Sequence, residues 1–211
     1  MQETGTRINK YMSQCGYCSR READRLIEKG EVWINGTLAT MGTKVMPGDT
    51  VMVHHTTITP CQKEYLLAFH KPAGIVCTTS KIDKNNVIDY LNFPERIYPV
   101  GRLDKESTGL LLLTNNGQLM DDVLRGSNYH EKEYIVHVNK PITDSVLQAM
   151  AQGVPILDTI TRPCKIRRMG KDCFYITLTQ GLNRQIRRMC EYFDYRVTSL
   201  KSCLLYTSDA A

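Results

Sequence analysis

The stretch 109–117, GLLLLTNNG, constrains the fold more than any other: four consecutive leucines, then Thr, two Asn and a Gly. The run is far too short to span a membrane, and Asn115, Asn116 and Gly117 are turn formers that end it. It reads as a buried strand. The residues before it, GRLDKEST, then form a loop at the mouth of that strand, with Asp104 two residues past Arg102 and beside Lys105. A loop carboxylate most often caps a helix or bridges a turn. Among guanidinium groups it gains a second use, because nearby positive charge favours the ionised form, which can serve as nucleophile or base but not as general acid. A second basic cluster, GLNRQIRRM over 181–189, meets no acid before Glu191.

Composition narrows the class. With 211 residues, 42% apolar and 23% charged, the chain suits a soluble globular protein of one ordinary domain and a smaller one. The opening MQETGTRINK lacks the apolar core of a secretory signal, so a cytoplasmic protein without membrane attachment is expected. Net charge is a modest +5, but its clustering suggests a polyanionic partner. The eight cysteines are scattered and are expected as reduced thiols. Cys15 and Cys18 form a C-x-x-C pair, yet no second pair follows at zinc spacing and no His lies near, so no metal is expected. The sequence also lacks a G-x-S-x-G elbow, a phosphate-cradling G-x-x-x-x-G-K, a deaminase zinc pattern and H-E-x-x-H.

The first 62 residues read as two helices followed by strands. Ile8, Met12 and Cys15 share a helical face. Ser19 with Glu22 three residues on is a capping-box pattern opening a helix over 19–29 that Gly30 stops. Asn35-Gly36 joins two short apolar runs as a hairpin, and Pro47-Gly48-Asp49 suggests another within KVMPGDTVMV. HHTTITPCQKE reads as a linker, with a second domain over 63–211. There EYLLAFHKPAGIVCTT suggests a strand, a tight loop at Lys71, Pro72 and Gly74, and another strand. A helix over 119–125, the strand KEYIVHV, the helix TDSVLQAMAQG, the strand CFYITLTQG and the helix NRQIRRMCEYF complete it. Without a strict strand–helix alternation, the expected class is α+β, with a mainly antiparallel mixed sheet flanked by helices.

Arg7, Lys10, Arg20, Arg21, Arg25 and Lys29 can share a face of the two front helices, where they either make a solvated, ion-paired surface or contact RNA. The segment RINKYMSQCGYCSRREADRLIEKGEVWING resembles the S4 RNA-binding module, which implies the second reading for this patch and simple packing for Cys15 and Cys18. GRLDKESTGLLLLTNNG resembles the signature of the pseudouridine synthases, and EKEYIVHV and GLNRQIRRMCEYF are similar to the same family's later motifs. With the S4-like front end, the chain resembles the branch that modifies large-subunit (23S) ribosomal RNA at single sites.

The resemblance implies a pseudouridine synthase fold, isomerase activity without a cofactor, and Asp104 as the catalytic residue, acting either on C1′ as nucleophile or on a sugar proton as base. It implies that Arg102 fills the place of the extruded base, that Tyr134 stacks on that base, and that Leu182 walls the pocket. Arg187 or Arg184 would pair with Asp104, with Arg184 and Arg188 as candidates for phosphate. Lys71 falls in a motif that is structural. Partners implied are a structured ribosomal RNA stem-loop, with a tRNA left open as second substrate, and the protein is expected as a monomer. Two positions depart from the pattern: His70 where Asn is common, and the ending KSCLLYTSDAA, with Ser202 where Arg is expected, which reads as truncated or foreign from about 202. The rival reading is a non-catalytic RNA-binding factor; a glycosidase is disfavoured because no paired carboxylate is evident.

Overall fold

The computed structural model describes residues 5–80, 82–124 and 130–206. The chain divides into two compact units, one of Met1–Tyr65, Pro94–Arg96 and Asn115–Gly117, the other of Leu66–Phe93, Ile97–Thr114 and Gln118–Ala211. None of the helices among the described residues is long and apolar enough to cross a membrane.

The front unit runs β1 (Thr6–Arg7), α1 (Ile8–Gln14), α2 (Arg20–Glu28), β2 (Val32–Ile34), β3 (Thr37–Leu38), β4 (Lys44–Val45), β5 (Val51–Val53) and β6 (Thr56–Ile58). Ser19 caps α2, its hydroxyl accepting the Glu22 N–H at 3.2 Å, a bond typically worth about 1 kcal/mol. Ala23, Leu26 and Ile27 then fall on one buried face against Ile8 and Met12. Asn35 and Gly36 both take positive φ and join β2 to β3 as a hairpin.

Two expectations need correction here. The Pro47-Gly48-Asp49 turn forms, with the Asp49 carboxylate accepting the Met46 N–H at 2.7 Å, but β4 pairs with β1 while β5 lies between β2 and β6. The turn redirects the chain between sheets and closes no hairpin. The segment read as linker contains β6, where Ile58 is buried. Its turn is His54-His55, both at positive φ, a pair with none of the usual turn chemistry.

The second unit contains β7 (Leu66–Lys71), α3 (Val87–Leu91), β8 (Tyr98–Val100), β9 (Thr108–Thr114), α4 (Gly117–Leu124), β10 (Glu131–Val138), α5 (Asp144–Gln152), β11 (Pro155–Ile156), β12 (Thr159–Ile160), β13 (Lys165–Arg168), β14 (Cys173–Leu178), α6 (Gln185–Tyr192) and β15 (Val197–Tyr206). Among the described residues a sheet runs β13-β14-β10-β15-β9-β7, with β8 also on β9. Within this sheet, among the described residues, only β15 and β9 pair in parallel. The leucine run is β9, with Leu111 and Leu113 inward and Leu110 and Leu112 half-exposed, as alternation requires. Gly109 meets β15 so closely that a Cβ would overlap the Ser202 carbonyl, and its φ of +107° is itself hostile to other residues.

Three further differences are local. No strand follows Gly74; Val76 makes a single parallel bridge to Asn86, because Asn85 and the N-terminal end of α3 take its backbone bonds. Gly117 opens α4 instead of closing a turn, and the expected last residue of that helix, Arg125, lies outside the described residues. The departing ending contributes to β15, whose Ser202 is buried and faces Tyr134 across the β10 pairing; residues 207–211 lie outside the described residues.

Candidate active site

The loop between β8 and β9 is fixed from beneath. Lys71, the last residue of β7, is fully buried, and its ammonium donates to the carbonyls of Pro72 (2.9 Å), Lys105 (3.2 Å) and Ser107 (2.7 Å). Burial pulls its pKa below the ordinary 10.5, while Cys77, Glu106 and Asp104 push back. The three carbonyls repay much of the desolvation of this cation, and they explain why a lysine stands at the end of an apolar strand. Gly74 adds an N–H bond to the Lys105 carbonyl at 2.8 Å, and the Leu103 N–H points to the Cys77 sulfur at 3.4 Å. The loop is thus held at 103, 105 and 107, and Asp104 projects from between the anchors.

Across from it, α6 presents Arg187. Ile186, Met189 and Cys190 are buried on the core face of this helix, so Arg187 turns toward the loop. Its Nε donates to Asp104 Oδ2 at 3.1 Å, and a terminal nitrogen donates to Ser107 Oγ at 3.3 Å. Arg184, the N-cap of α6 in left-handed conformation, holds its guanidinium 3.7 Å from the same Asp104 oxygen and 3.9 Å from Glu106. The alternatives of the sequence therefore coexist: both arginines address Asp104, and Arg187 makes the hydrogen bond. Its side chain is 11% exposed and that of Arg184 is 44% exposed, so the inner cation is the fixed one. Arg188 is elsewhere, folded onto the carbonyl and side chain of Asn183.

These groups line a groove of about 890 Å³ that also includes Arg102, Tyr134, Leu182 and Lys132. Arg102 is exposed at the rim. Tyr134 and Lys132 share the inward face of β10 with buried Val136. Burial, and secondarily the charge of Asp104, push the Tyr134 phenol up to about 12. It is a hydroxyl donor throughout the physiological range. Lys132 is pulled below 10.5 by burial. Leu182 packs on the same core, with its N–H held by the buried Gln185 side chain at 3.0 Å. The groove brings Arg102, Asp104, Tyr134, Leu182, Arg184 and Arg187 together. Arg7, Lys10, Arg20, Arg21 and Arg25 belong to the front unit, where all but half-buried Lys10 are exposed.

Sequence reasoning missed Ser107, Lys132 and the three carbonyl partners of Lys71. For Ser107 a signal existed, the D-x-x-S spacing that lets its N–H close a turn onto the Asp104 carbonyl at 3.0 Å. Among the described residues no group of three or more His, Cys, Asp or Glu side chains is placed to hold a metal ion.

A family described as RNA pseudouridylate synthase matches residues 65–192, which include Asp104, Tyr134 and Arg187. The chain belongs to this family. Its front end, residues 6–51, matches the S4 domain. The pseudouridylate synthase chain is 53% identical over 201 residues to the dual-specificity RNA pseudouridine synthase RluF of Salmonella typhi, covering 94% of this chain and 70% of that one. It is 33% identical over 205 residues to ribosomal large subunit pseudouridine synthase B of Bacillus subtilis (strain 168), covering 92% and 83%. A crystal structure of a pseudouridylate synthase shares the fold, with a TM-score of 0.67 at 25% identity over 95% of this chain and 88% of the other. As a pseudouridylate synthase the chain is an isomerase acting on RNA, with the α+β fold expected from its sequence.

Proposed function

We propose that this pseudouridylate synthase isomerises a specific uridine of large-subunit (23S) ribosomal RNA, with a tRNA as a second substrate, and that Asp104 is its catalytic residue. The observation that carries the reading is the single carboxylate held by Arg187 at 3.1 Å inside a groove of about 890 Å³. The dual specificity in the name of the RluF relative supports a second RNA, and the name of the Bacillus relative supports the large subunit.

In the reaction the N1–C1′ bond breaks, the uracil turns, a C5–C1′ bond forms, and the C5 proton is lost as N1 gains one. Atoms and charge balance without a co-reactant. Asp104 either attacks C1′ or removes a sugar proton, and Arg187 and Arg184 neutralise the carboxylate while it is not bonded to the sugar. The uridine must leave its stack, at a cost of a few kcal/mol. Arg102, exposed at the rim, fills the vacated place with its flat guanidinium. Tyr134 stacks on the extruded base, contributing about 1–3 kcal/mol, and offers a protonated hydroxyl. Leu182 walls the groove, and the RNA itself closes its open side, keeping the detached base from solvent. The S4-like domain over 1–62 binds structured RNA through Arg7, Lys10, Arg20, Arg21 and Arg25, and the domain over 63–211 carries the chemistry. The protein works as a cytoplasmic monomer.

Asp104→Asn tests the assignment. On unmodified 23S transcript, pseudouridine formation falls by about 10²–10⁴-fold or more while RNA affinity holds. Full activity in this variant would remove Asp104 from the chemistry. A wild-type protein that binds the transcript and tRNA and forms pseudouridine in neither would overturn the substrate assignment.

A further inference from the structure

The Asp104–Arg187 pair has an unusual form for its chemistry. An arginine beside a carboxylate commonly engages both oxygens, one N–H of its fork to each. Here the fork is split. Nε of Arg187 goes to Asp104 Oδ2 at 3.1 Å, and the adjacent terminal nitrogen goes to Ser107 Oγ at 3.3 Å. Arg184 also addresses Oδ2, at 3.7 Å. Asp104 Oδ1 accepts no hydrogen bond from the described residues.

Ser107 is built to hold this position. It is 1% exposed, its N–H donates to the Asp104 carbonyl at 3.0 Å, and its own carbonyl takes the shortest bond from the buried Lys71 ammonium, 2.7 Å. The hydroxyl therefore sits on a backbone pinned at both ends and keeps a fixed offset from Asp104, three residues earlier in the same loop.

We propose that Ser107 is a positioning residue that captures one prong of the Arg187 guanidinium and so leaves Asp104 Oδ1 free to face the ribose. With the hydroxyl absent, the fork rotates onto both carboxylate oxygens. Arg187 then becomes a bidentate clamp, and the oxygen that must approach the sugar is occupied. The consequence falls on the chemical step and not on RNA capture, since Ser107 lines the floor of the groove with only 1% of its surface exposed and its hydroxyl is taken by Arg187.

The proposal rests on Asp104 as the acting carboxylate, and the experiment separates the two claims. Single-turnover rates on unmodified 23S transcript are measured for the full chain and for Ser107→Ala, Ser107→Thr and Ser107→Cys, each also with Arg187→Lys, with thermal melts alongside. Ser107→Ala lowers the maximal rate about tenfold, the scale of one hydrogen bond to a charged group, with half-saturation unchanged. Ser107→Thr restores the rate, and Ser107→Cys, similar in size but a poor acceptor, does not. In the Arg187→Lys background, where no fork exists, Ser107→Ala has no further effect. An equal loss in both backgrounds, or a loss that follows melting temperature across the three substitutions, would make Ser107 merely structural and overturn the proposal. So would an unchanged rate in Ser107→Ala. Loss of the proposed function itself shows differently, as an Asp104→Asn protein that still forms pseudouridine.

Discussion

The two units use positive charge in opposite ways. In the catalytic unit Lys71 is fully buried with three carbonyl partners, and Arg187, with its side chain 11% exposed, divides its bonds between Asp104 and Ser107. In the S4-like unit Arg7, Arg20, Arg21 and Arg25 are exposed, and the ion pair of Arg25 with Glu22 at 3.1 Å has its partners 71% and 45% exposed. A buried cation has few geometries available and so fixes the groups around it. An exposed one retains side-chain freedom and acts chiefly through its field, which salt screens. The first kind is therefore expected to govern rate and stability, the second affinity for RNA.

Substitutions can break this contrast. Arg187→Ala is expected to have the largest effect, lowering the single-turnover rate about 10²–10³-fold, as for loss of a preorganised donor, with half-saturation little changed. If affinity falls and the rate holds, Arg187 belongs with the exposed arginines. Next comes Lys71→Met, which leaves three buried carbonyls short of a donor; urea unfolding should show a loss of about 3 kcal/mol, with the rate falling because the Asp104 loop loosens. An unchanged midpoint would mean that the loop holds itself. Arg20→Gln with Arg21→Gln should leave the maximal rate alone, weaken RNA binding, and reduce the slope of log affinity against log salt by about 0.7–0.9 for each phosphate contact removed.

The smallest effect is shared by both units and is silent at neutral pH. Burial raises the thiols of Cys15, Cys18 and Cys164 from 9.0 to about 11 and that of Cys190 to about 12. A group whose folded pKa is raised contributes stability that is complete below its unfolded pKa and is lost as pH rises through the folded one. Melting temperature should hold to about pH 9 and decline from there to about pH 12. Replacing Cys190 by Ala should flatten part of that decline; an unaltered slope would assign it to other groups.

Legibility in the sequence followed the chemistry of particular residues. Asn35-Gly36 announced a hairpin because both residues tolerate positive φ, whereas His54-His55 and Leu157-Asp158 make the same kind of turn without a local signature. Tertiary pairing imposes those two turns on residues that would not choose them, so β6 and the β11–β12 hairpin escaped notice. The helix cap at Ser19 acts within three residues and was readable.

In the groove the division is the same. By themselves the residues determined that a loop carboxylate stands at the mouth of a leucine strand among basic clusters, since strand, turn and charge are local properties. The distribution of roles among the arginines was decided by tertiary structure. Asp104 and Arg187 lie 83 positions apart, and Arg184, Arg187 and Arg188 are nearly equivalent as letters on a helix. Only the packing of the buried face of α6, and the lysine beneath the facing loop, select Arg187 for the carboxylate, hold Arg184 farther from it and fold Arg188 onto Asn183. Hydrogen-bond energy falls away within tenths of an ångström, a precision that the order of residues along a chain does not carry.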